Sequence, residues 1–425
     1  MTFTEFILAH DGADLAALAL ARDRSGVSVA DFGLALTTLE VRRKLRDKVP
    51  EWYAVPSLRY PLRVSGEQCS SAATARYKAF VAARSAGSRT ESAPVVLEGR
   101  IADLTGGLGV DSWAFSKVFG QVLYNEMRPD LADAAAHNFR ELGVTNITVR
   151  NHALVPSTLI PGSDPGSPAA NVSRILGDFR PDVIFLDPAR RSADGRKVFR
   201  LEDCQPDVMQ LLPELLVACP RILLKLSPMA DITLVCRQLG CIMEMHVVAA
   251  DGECKELLLV LEKDWTAPYS LTIVEDGAIM EIPGQAGNDD PTGNDDNPVM
   301  AGSDRPSLLF EPGKALLKAG AFDLPCQYGL AKLGLHTHLY VGEEVPEEFR
   351  PFGKCFRVLE SAPLDKRGIK AIGQKYPRAD VTARNIPLTS DQLRKKLGVA
   401  DGGPVHIFGV HIDSLEGNYL LVTSR

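Results

Sequence analysis

The feature that most constrains the fold is an alternation of strand and helix patterns that begins near residue 97. Helical patterns at Asp111–Val118 and Asp130–Leu142 separate the early strands. This alternation predicts an α/β fold with a mostly parallel, Rossmann-like sheet. Only residues 251–255 separate the last two strands, which therefore form a hairpin, so the last strand is antiparallel. The seven predicted strands are Val96–Leu104, Gln121–Glu126, Ile147–Asn151, Val183–Leu186, Arg221–Leu226, Met243–Ala249 and Glu256–Leu261.

A glycine-rich turn follows the first predicted strand, in the stretch Asp103-Leu-Thr-Gly-Gly-Leu-Gly-Val-Asp111. Glycines let a ligand approach the backbone closely and permit positive φ. A dinucleotide-binding turn needs Gly-x-Gly-x-x-Gly, but Ser112 stands at the third glycine position. The acid at the strand end suits a ligand with an ammonium group better than a pyrophosphate. A purely structural strand-to-helix turn is the remaining alternative.

Two further strand ends carry acids. Glu126 ends the second predicted strand, where an acid accepts hydrogen bonds from ribose hydroxyls in enzymes that bind NAD or S-adenosylmethionine (SAM). Asp187-Pro188 directly follows the apolar strand Val183–Leu186, at the edge of the sheet where ligands bind. Arg190, Arg191 and Arg196 follow in the same loop and suit phosphate groups, unless they pair with neighbouring acids.

Together these stretches resemble the class I SAM-dependent methyltransferases, and the resemblance extends over nearly the whole chain. It is closest to the bacterial methyltransferases that carry a ferredoxin-like segment and a THUMP-like C-terminal domain. The joint occurrence of the matching stretches, in this order, is specific to that family, although no single stretch is. The matching stretches are residues 67–71 and 74–79, 103–111, 187–191 with 195–197, 254–256, 311–320 with 338–340, and 381–388.

The resemblance implies SAM as the cofactor and assigns roles to individual residues. Glu126 would hold the ribose, and Asp187 with its loop would lie beside the transferable methyl group. His152 stands where other members have an acid that contacts adenine, so it either binds adenine or is a surface histidine. Gln68, before the helix that precedes the glycine turn, is a further candidate for a cofactor contact. The glycine-turn candidates for cofactor binding are Asp103, Thr105, Gly106, Gly107, Gly109 and Asp111.

The residues near Asp187 narrow the range of atoms that could accept the methyl group. Methylation at carbon 5 of a pyrimidine requires a cysteine nucleophile, and the stretch after the fifth predicted strand, Leu224-Lys-Leu-Ser-Pro228, has none. Methylation of an exocyclic amine typically uses Asp/Asn-Pro-Pro-Tyr/Phe. Asp187-Pro188 retains the hydrogen-bond acceptor of that motif. Arg190 stands in place of the aromatic residue and can itself stack on a base. We therefore expect catalysis by Asp187, Pro188 and Arg190 on a base nitrogen.

Charge is unevenly distributed along the 425 residues, whose net charge is -7. Residues 305–425 contain 17 Lys/Arg and 13 Asp/Glu, and residues 362–400 alone contain nine basic and three acidic side chains. A basic module on an acidic body indicates either an anionic partner or a solvated charged surface. THUMP-type modules accompany RNA-modifying enzymes, so the analogy predicts rRNA or tRNA as the partner and no DNA. Arg384, Lys395 and Lys396 are the candidate phosphate contacts there.

The predicted domains are an N-terminal helical region (1–95), the methyltransferase domain (96–263), a ferredoxin-like segment (264–349) and the THUMP-like domain (350–425). Turn-rich insertions at 156–171 and 283–304 are expected to be exposed loops. His336 and His338 are expected on one face of a strand at Leu335–Val341, packed rather than bound to metal.

The eight scattered cysteines lack zinc spacing and indicate reduced thiols, and no apolar run is long enough to cross a membrane. These features predict a cytoplasmic enzyme without a metal or a membrane partner. Two other functions stay open, namely methylation of a protein or small molecule and RNA binding without catalysis.

Overall fold

A computed structural model describes residues 1–20, 29–87, 97–159, 169–190, 201–282 and 308–424. The chain forms two compact units. The first comprises Met1–Met245 and Glu256–Tyr269, and the second comprises His246–Lys255 and Ser270–Arg425. All three tryptophans of the sequence lie in the first unit, so tryptophan fluorescence reports on the unfolding of that unit.

The predicted sheet is observed as seven neighbouring strands, in the order β10-β11-β9-β6-β1-β2-β3, of a nine-stranded sheet. Neighbours from β9 to β3 pair in parallel, whereas β11 pairs antiparallel with β9. Each strand overlaps its predicted counterpart, so the fold class is confirmed. The strands are β1 (Leu97–Asp103), β2 (Phe119–Asn125), β3 (Ile147–Arg150), β6 (Val183–Leu186), β9 (Arg221–Leu226), β10 (Ile242–Ala250) and β11 (Glu253–Glu262), with two-residue strands β4 (Ala153–Leu154), β5 (Ala169–Ala170), β7 (Ala189–Arg190) and β8 (Cys204–Gln205).

The turn between β10 and β11 explains why the last strand reverses. Asp251 and Gly252 both have positive φ, of 55° and 73°, as tight hairpin turns require. The chain therefore returns beside β10 instead of crossing over the sheet. The predicted hairpin is confirmed.

In the described residues, six helices precede the sheet, and three of them, α3, α4 and α6, share a hydrophobic core with it. Ser71 caps the sixth, because its hydroxyl accepts a hydrogen bond from the backbone N–H of Thr74. Trp52 and Tyr60 are fully buried in the same core as Phe185 of β6. The helices are α1 (Phe3–His10), α2 (Leu15–Leu20), α3 (Val29–Lys48), α4 (Pro50–Tyr53), α5 (Arg63–Gln68) and α6 (Ala72–Ser85).

Within the described ranges, five α-helices connect the strands of the sheet. The segment predicted at Asp111–Val118 is helical over Val110–Phe115, and that at Asp130–Leu142 is helical over Pro129–Glu141, where Pro129 takes the first helical position. These helices are α7 (Val110–Phe115), α8 (Pro129–Glu141), α9 (Val172–Leu176), α10 (Val208–Ala218) and α11 (Ile232–Gln238).

The second unit has a seven-stranded sheet in the order β15-β16-β14-β17-β20-β19-β18, whereas β12 and β13 pair as a hairpin that adjoins β10 in the nine-stranded sheet. Only β18 and β19 pair in parallel within the seven-stranded sheet. Helices α14 and α15 cover one sheet face, where Ile372, Leu393 and Ile407 are buried together. The elements are β12 (Ser270–Glu275), β13 (Ala278–Ile282), β14 (Leu308–Pro312), α12 (Lys314–Ala319), α13 (Leu324–Gln327), β15 (Ala331–Lys332), β16 (Tyr340–Gly342), β17 (Gly353–Pro363), α14 (Lys366–Lys375), β18 (Asp380–Arg384), α15 (Ser390–Leu397), β19 (Val405–Ile412) and β20 (Gly417–Ser424).

The predicted strand at Leu335–Val341 is wrong. Only Tyr340–Gly342 is a strand, and His338 has a positive φ of 47° in the preceding turn. His336 is exposed, whereas His338 stacks on Phe322 at a centroid distance of 3.9 Å. The two histidines therefore do not share a strand face.

Most of the two predicted insertions lies outside the described residues, at 160–168 and 283–307. No helix in the described ranges is long and apolar enough to cross a membrane.

Candidate active site

The glycine turn joins β1 to α7 at the carboxyl edge of the sheet. Gly106 N–H donates to the carbonyl of Asn125 at 2.8 Å, which ties the turn to the end of β2. Gly107 and Gly109 have φ of 53° and 93°, in the left-handed region that favours glycine. A Cβ at Gly107 has only the Thr105 carbonyl oxygen, at 3.9 Å, within 4 Å. The turn therefore leaves room beside its backbone.

Gly106 lies against the ring of Tyr124. A Cβ at this position is 2.1 Å from a ring carbon, a distance that real contacts do not show. The ring cannot retreat, because Tyr124 is fully buried and its hydroxyl donates to the Gly107 carbonyl at 2.6 Å.

We expect Gly106→Ala to displace the turn, to lower the free energy of unfolding of the first unit by about 1–3 kcal/mol, and to abolish measurable SAM binding. Tryptophan fluorescence during urea unfolding and calorimetry with SAM measure the two effects. Gly240→Ala is the matched control, because a Cβ there meets nothing within 4 Å. SAM affinity equal to that of the unsubstituted protein would contradict this role of Gly106.

The Asp103 carboxylate stabilises the glycine turn through hydrogen bonds. Its Oδ2 accepts from the Ser112 hydroxyl at 2.6 Å and its Oδ1 from Thr105 N–H at 3.1 Å, and the residue is only 1% exposed. Burial raises the pKa of Asp103 to about 8, although the Ser112 hydrogen bond opposes that rise. Its described contacts are therefore with the turn itself, whereas the sequence placed it among the cofactor-binding residues.

Glu126 lies next to the turn at the end of β2. Its Oε2 accepts from Gly107 N–H and its Oε1 from Arg128 N–H, both at 2.9 Å. A carboxylate has about four acceptor positions, so two bonds leave capacity for the hydroxyls of a ribose. These two backbone bonds fix the carboxylate beside the open face of Gly107.

His152 follows β3 and is tied to the turn through Asn125. The Asn125 amide donates to the carbonyls of Leu104 and His152, at 3.2 and 3.1 Å, and accepts from His152 N–H. Among the described residues, the buried His152 Nδ1 has no hydrogen-bond partner. Burial, together with Arg174 and Arg150, lowers the pKa of His152, so its ring is neutral near pH 7.

Asp187 stands at the end of β6. Its backbone N–H donates to Thr105 Oγ1 at 2.6 Å, so the loop after β6 is tied to the glycine turn. Its Oδ2 accepts from Lys225 Nζ of β9, also at 2.6 Å. Pro188 is buried, whereas the Asp187 side chain is 34% exposed. One carboxylate oxygen of Asp187, Oδ1, has no partner in the described part of the chain.

The remaining predicted residues lie in several places. Asp111 accepts from the Ser70 hydroxyl at 2.8 Å and faces Lys78, and Gln68 is exposed at the end of α5. The backbone of Arg190 pairs with Cys204, but its side chain, like all of Arg191 and Arg196, lies outside the described residues.

Sequence reasoning did not connect Lys78, Lys225 and Glu256 with one another. Lys78 Nζ lies 2.9 Å from Glu256, and Lys225 Nζ lies 4.0 Å from the same carboxylate. The available signal was that residues 78 and 256 both fall in the stretches that carry the family resemblance.

Some basic side chains of the second unit form ion pairs, and others line a cleft. Arg384 donates to Glu311 at 2.7 Å, Lys375 pairs with Glu360, and Arg394 pairs with Asp391 and Asp401. A cleft of about 580 Å³ lies between α14 and α15, and its basic side chains have no ion-pair partner among the described residues. It is lined by Lys366, Ile369, Lys370, Gly373, Gln374, Lys396, Leu397 and Gly398.

Comparison with known proteins agrees with this architecture. Residues 353–425 match the THUMP domain-like family, and residues 308–349 match a ferredoxin-like domain family. A crystal structure described as a "putative methyltransferase" from Porphyromonas gingivalis W83 is 27% identical, with a TM-score of 0.78, over 100% of this chain and 97% of that one. The resemblance drawn from the sequence and the methyltransferase fold are thereby confirmed.

A second solved structure is similar over part of the chain only. It is the Thermus thermophilus 16S rRNA N2 G1207 methyltransferase in complex with AdoMet and guanosine. It is 14% identical over 40% of this chain and 38% of that one, with a TM-score of 0.28. No curated protein matches the chain.

Proposed function

We propose that the chain is a SAM-dependent methyltransferase that modifies a base nitrogen of structured RNA. The observation that carries the proposal is the meeting of three strand ends. Glu126 binds Gly107 N–H of the glycine turn, and Asp187 N–H binds Thr105 of the same turn. The candidate for binding the ribose, Glu126, and the candidate for orienting the methyl acceptor, Asp187, are thus fixed to one loop.

The residues around the turn fit SAM. Glu126 retains acceptor capacity for ribose hydroxyls, and the neutral His152 ring has a buried Nδ1 that suits adenine. The open space at Gly107 admits a ligand close to the backbone. When bound, SAM supplies an electrophilic methyl group.

Asp187 suits an acceptor that carries N–H groups. Because Oδ2 is paired with Lys225 and Oδ1 has no partner among the described residues, Oδ1 is the oxygen that we expect to accept a hydrogen bond from an amine. That bond orients the nitrogen lone pair, and Oδ1 or water then receives the proton that the methylated nitrogen loses. Carbon methylation through a thiol is disfavoured, because Ser227 follows β9 and the Cys204 and Cys219 thiols are buried.

The cleft between α14 and α15 is the best candidate for RNA backbone contacts in the second unit. Lys366 and Lys370 are one turn apart on α14, and Lys396 faces them from α15. Free ammonium groups bind phosphates without first breaking an ion pair, in contrast to Arg384, which pairs with Glu311.

We expect Lys396→Glu to weaken RNA binding about tenfold or more at 0.1 M salt and to reduce the slope of log K against log [salt] by about 1. The adjacent Lys395→Glu is the matched control, because Lys395 does not line the cleft. Titrations at several salt concentrations measure both. Equal slopes for the two variants would contradict RNA binding in the cleft.

The function is tested with methyl-labelled SAM and an extract from a strain that lacks the protein. Label in the RNA fraction supports the proposal, and nucleoside mass spectrometry then identifies the modified atom. Label only in protein or small molecules overturns the RNA substrate. SAM binding without any transfer overturns catalysis.

A further inference from the structure

Five charged side chains, including that of Asp187, come together from five different parts of the fold. They are Lys78 of α6, Asp111 of α7, Asp187 after β6, Lys225 of β9 and Glu256 of β11. Besides Asp187, three of them, Lys78, Asp111 and Glu256, lie in the stretches that carry the family resemblance. The function proposed above gives none of these three a task.

The contacts form a chain from the core to the surface. Lys78 Nζ lies 2.9 Å from both oxygens of Glu256 and 3.3 Å from Asp111. Lys225 Nζ lies 4.0 Å from Glu256 Oε2 and 2.6 Å from Asp187 Oδ2. Exposure of the side chains rises along this path, from 0% at Lys78 and 3% at Glu256 to 13% at Lys225 and 34% at Asp187. Its buried end is therefore rigid, and its exposed end is Asp187.

The carboxylates of this cluster keep Lys225 in its charged ammonium form, which donates hydrogen bonds. Burial acts against the charged form, but the carboxylates of Asp187, Glu256 and Asp111 outweigh it and raise the pKa of Lys225. An ammonium group has three donors and no acceptor, so Lys225 binds oxygens and cannot take up a proton. It therefore acts on the reaction only through the carboxylate that it holds.

We propose that Lys225 is a positioning residue that fixes Asp187 Oδ2, so that Oδ1 is presented to the methyl acceptor, and that the Lys78–Glu256 pair fixes Lys225. This inference rests on the function proposed for Asp187. It adds that helix α6, which precedes the sheet, supports the methyl-transfer site.

Lys225→Met removes the ammonium group and keeps an unbranched side chain. We expect kcat for methyl transfer to fall about 10²-fold, because a small displacement of a reacting group costs this much. The dissociation constants for SAM and RNA stay unchanged, since neither ligand needs Lys225. Lys332→Met is the matched control, because Lys332 is similarly buried (16% exposed) and lies 3.9 Å from Asp323 in the second unit. An unchanged kcat in Lys225→Met, or a change in SAM affinity alone, would overturn the positioning role.

Glu256→Gln provides a second variant in case Lys225→Met does not fold. It keeps the shape of the side chain and removes the charge that holds Lys225. We expect a lower kcat with unchanged SAM affinity, and kcat equal to that of the unsubstituted protein would overturn the role of the Lys78–Glu256 pair.

A double-mutant cycle separates this inference from the proposed function, because it needs no activity. Lys225→Met, Asp187→Ala and the double variant are unfolded in urea and followed by tryptophan fluorescence. We expect non-additive losses, since side chains in direct contact couple. Additive losses would overturn the pairing whether or not the protein is active. Coupling in a protein that methylates nothing would instead count against the proposed function alone.

Discussion

We expect replacement of Asp187 with alanine to lower kcat for the proposed methyl transfer about 10³-fold and to leave the affinity for SAM unchanged. The substitution removes Oδ1, which has no partner in the described ranges and is the oxygen proposed to orient an acceptor amine. It leaves the loop in place, because the backbone N–H of residue 187 still donates to Thr105 Oγ1. The expected loss therefore falls on the chemical step and not on cofactor binding.

Asp182→Ala is the matched control for this prediction. Asp182 and Asp187 flank the same strand, β6, but Asp182 precedes it and accepts from Arg100 N–H at 2.8 Å. Ligands of such sheets bind at the carboxyl ends of the strands, so Asp182→Ala leaves kcat unchanged. Single-turnover transfer of label from SAM to RNA measures both variants. A full rate in Asp187→Ala would remove Asp187 from the site.

The strands of the sheet, its hairpin and the meeting of the candidate site residues at one edge could be predicted from the sequence because they depend on local patterns. Apolar stretches, the glycine turn and the short link at 251–255 define the sheet and its hairpin over a few residues each. Acids that follow parallel strands necessarily meet at one edge, which is why Glu126 and Asp187 both adjoin the glycine turn.

The direction in which each side chain points could not be predicted in this way. Asp103 ends its strand as expected, yet its carboxylate binds Ser112 and Thr105 of its own turn. The strand predicted around His336 and His338 failed for a related reason. A residue with positive φ breaks the alternation of faces, and composition does not reveal it.

Contacts between residues that are far apart in the sequence also could not be predicted. Lys78 and Glu256 are 178 positions apart, and each alone reads as an ordinary surface charge. Only the packing of α6 beside the sheet brings them together, and that packing depends on apolar residues spread over the whole first unit. The domain boundaries predicted at 95, 263 and 349 remain a proposal.

We expect Lys78→Met to lower the free energy of unfolding of the first unit by about 3–5 kcal/mol, because it leaves the Glu256 carboxylate buried without its closest partner. The double variant Lys78→Met/Glu256→Met recovers much of this loss, since removing both partners leaves no uncompensated charge. Lys44→Met is the matched control, because Lys44 pairs with the exposed Glu67 and such surface pairs contribute about 0–1 kcal/mol. Urea unfolding followed by tryptophan fluorescence compares the three variants. A loss in Lys78→Met no larger than that in Lys44→Met would show that the buried pair does not hold α6 to the sheet.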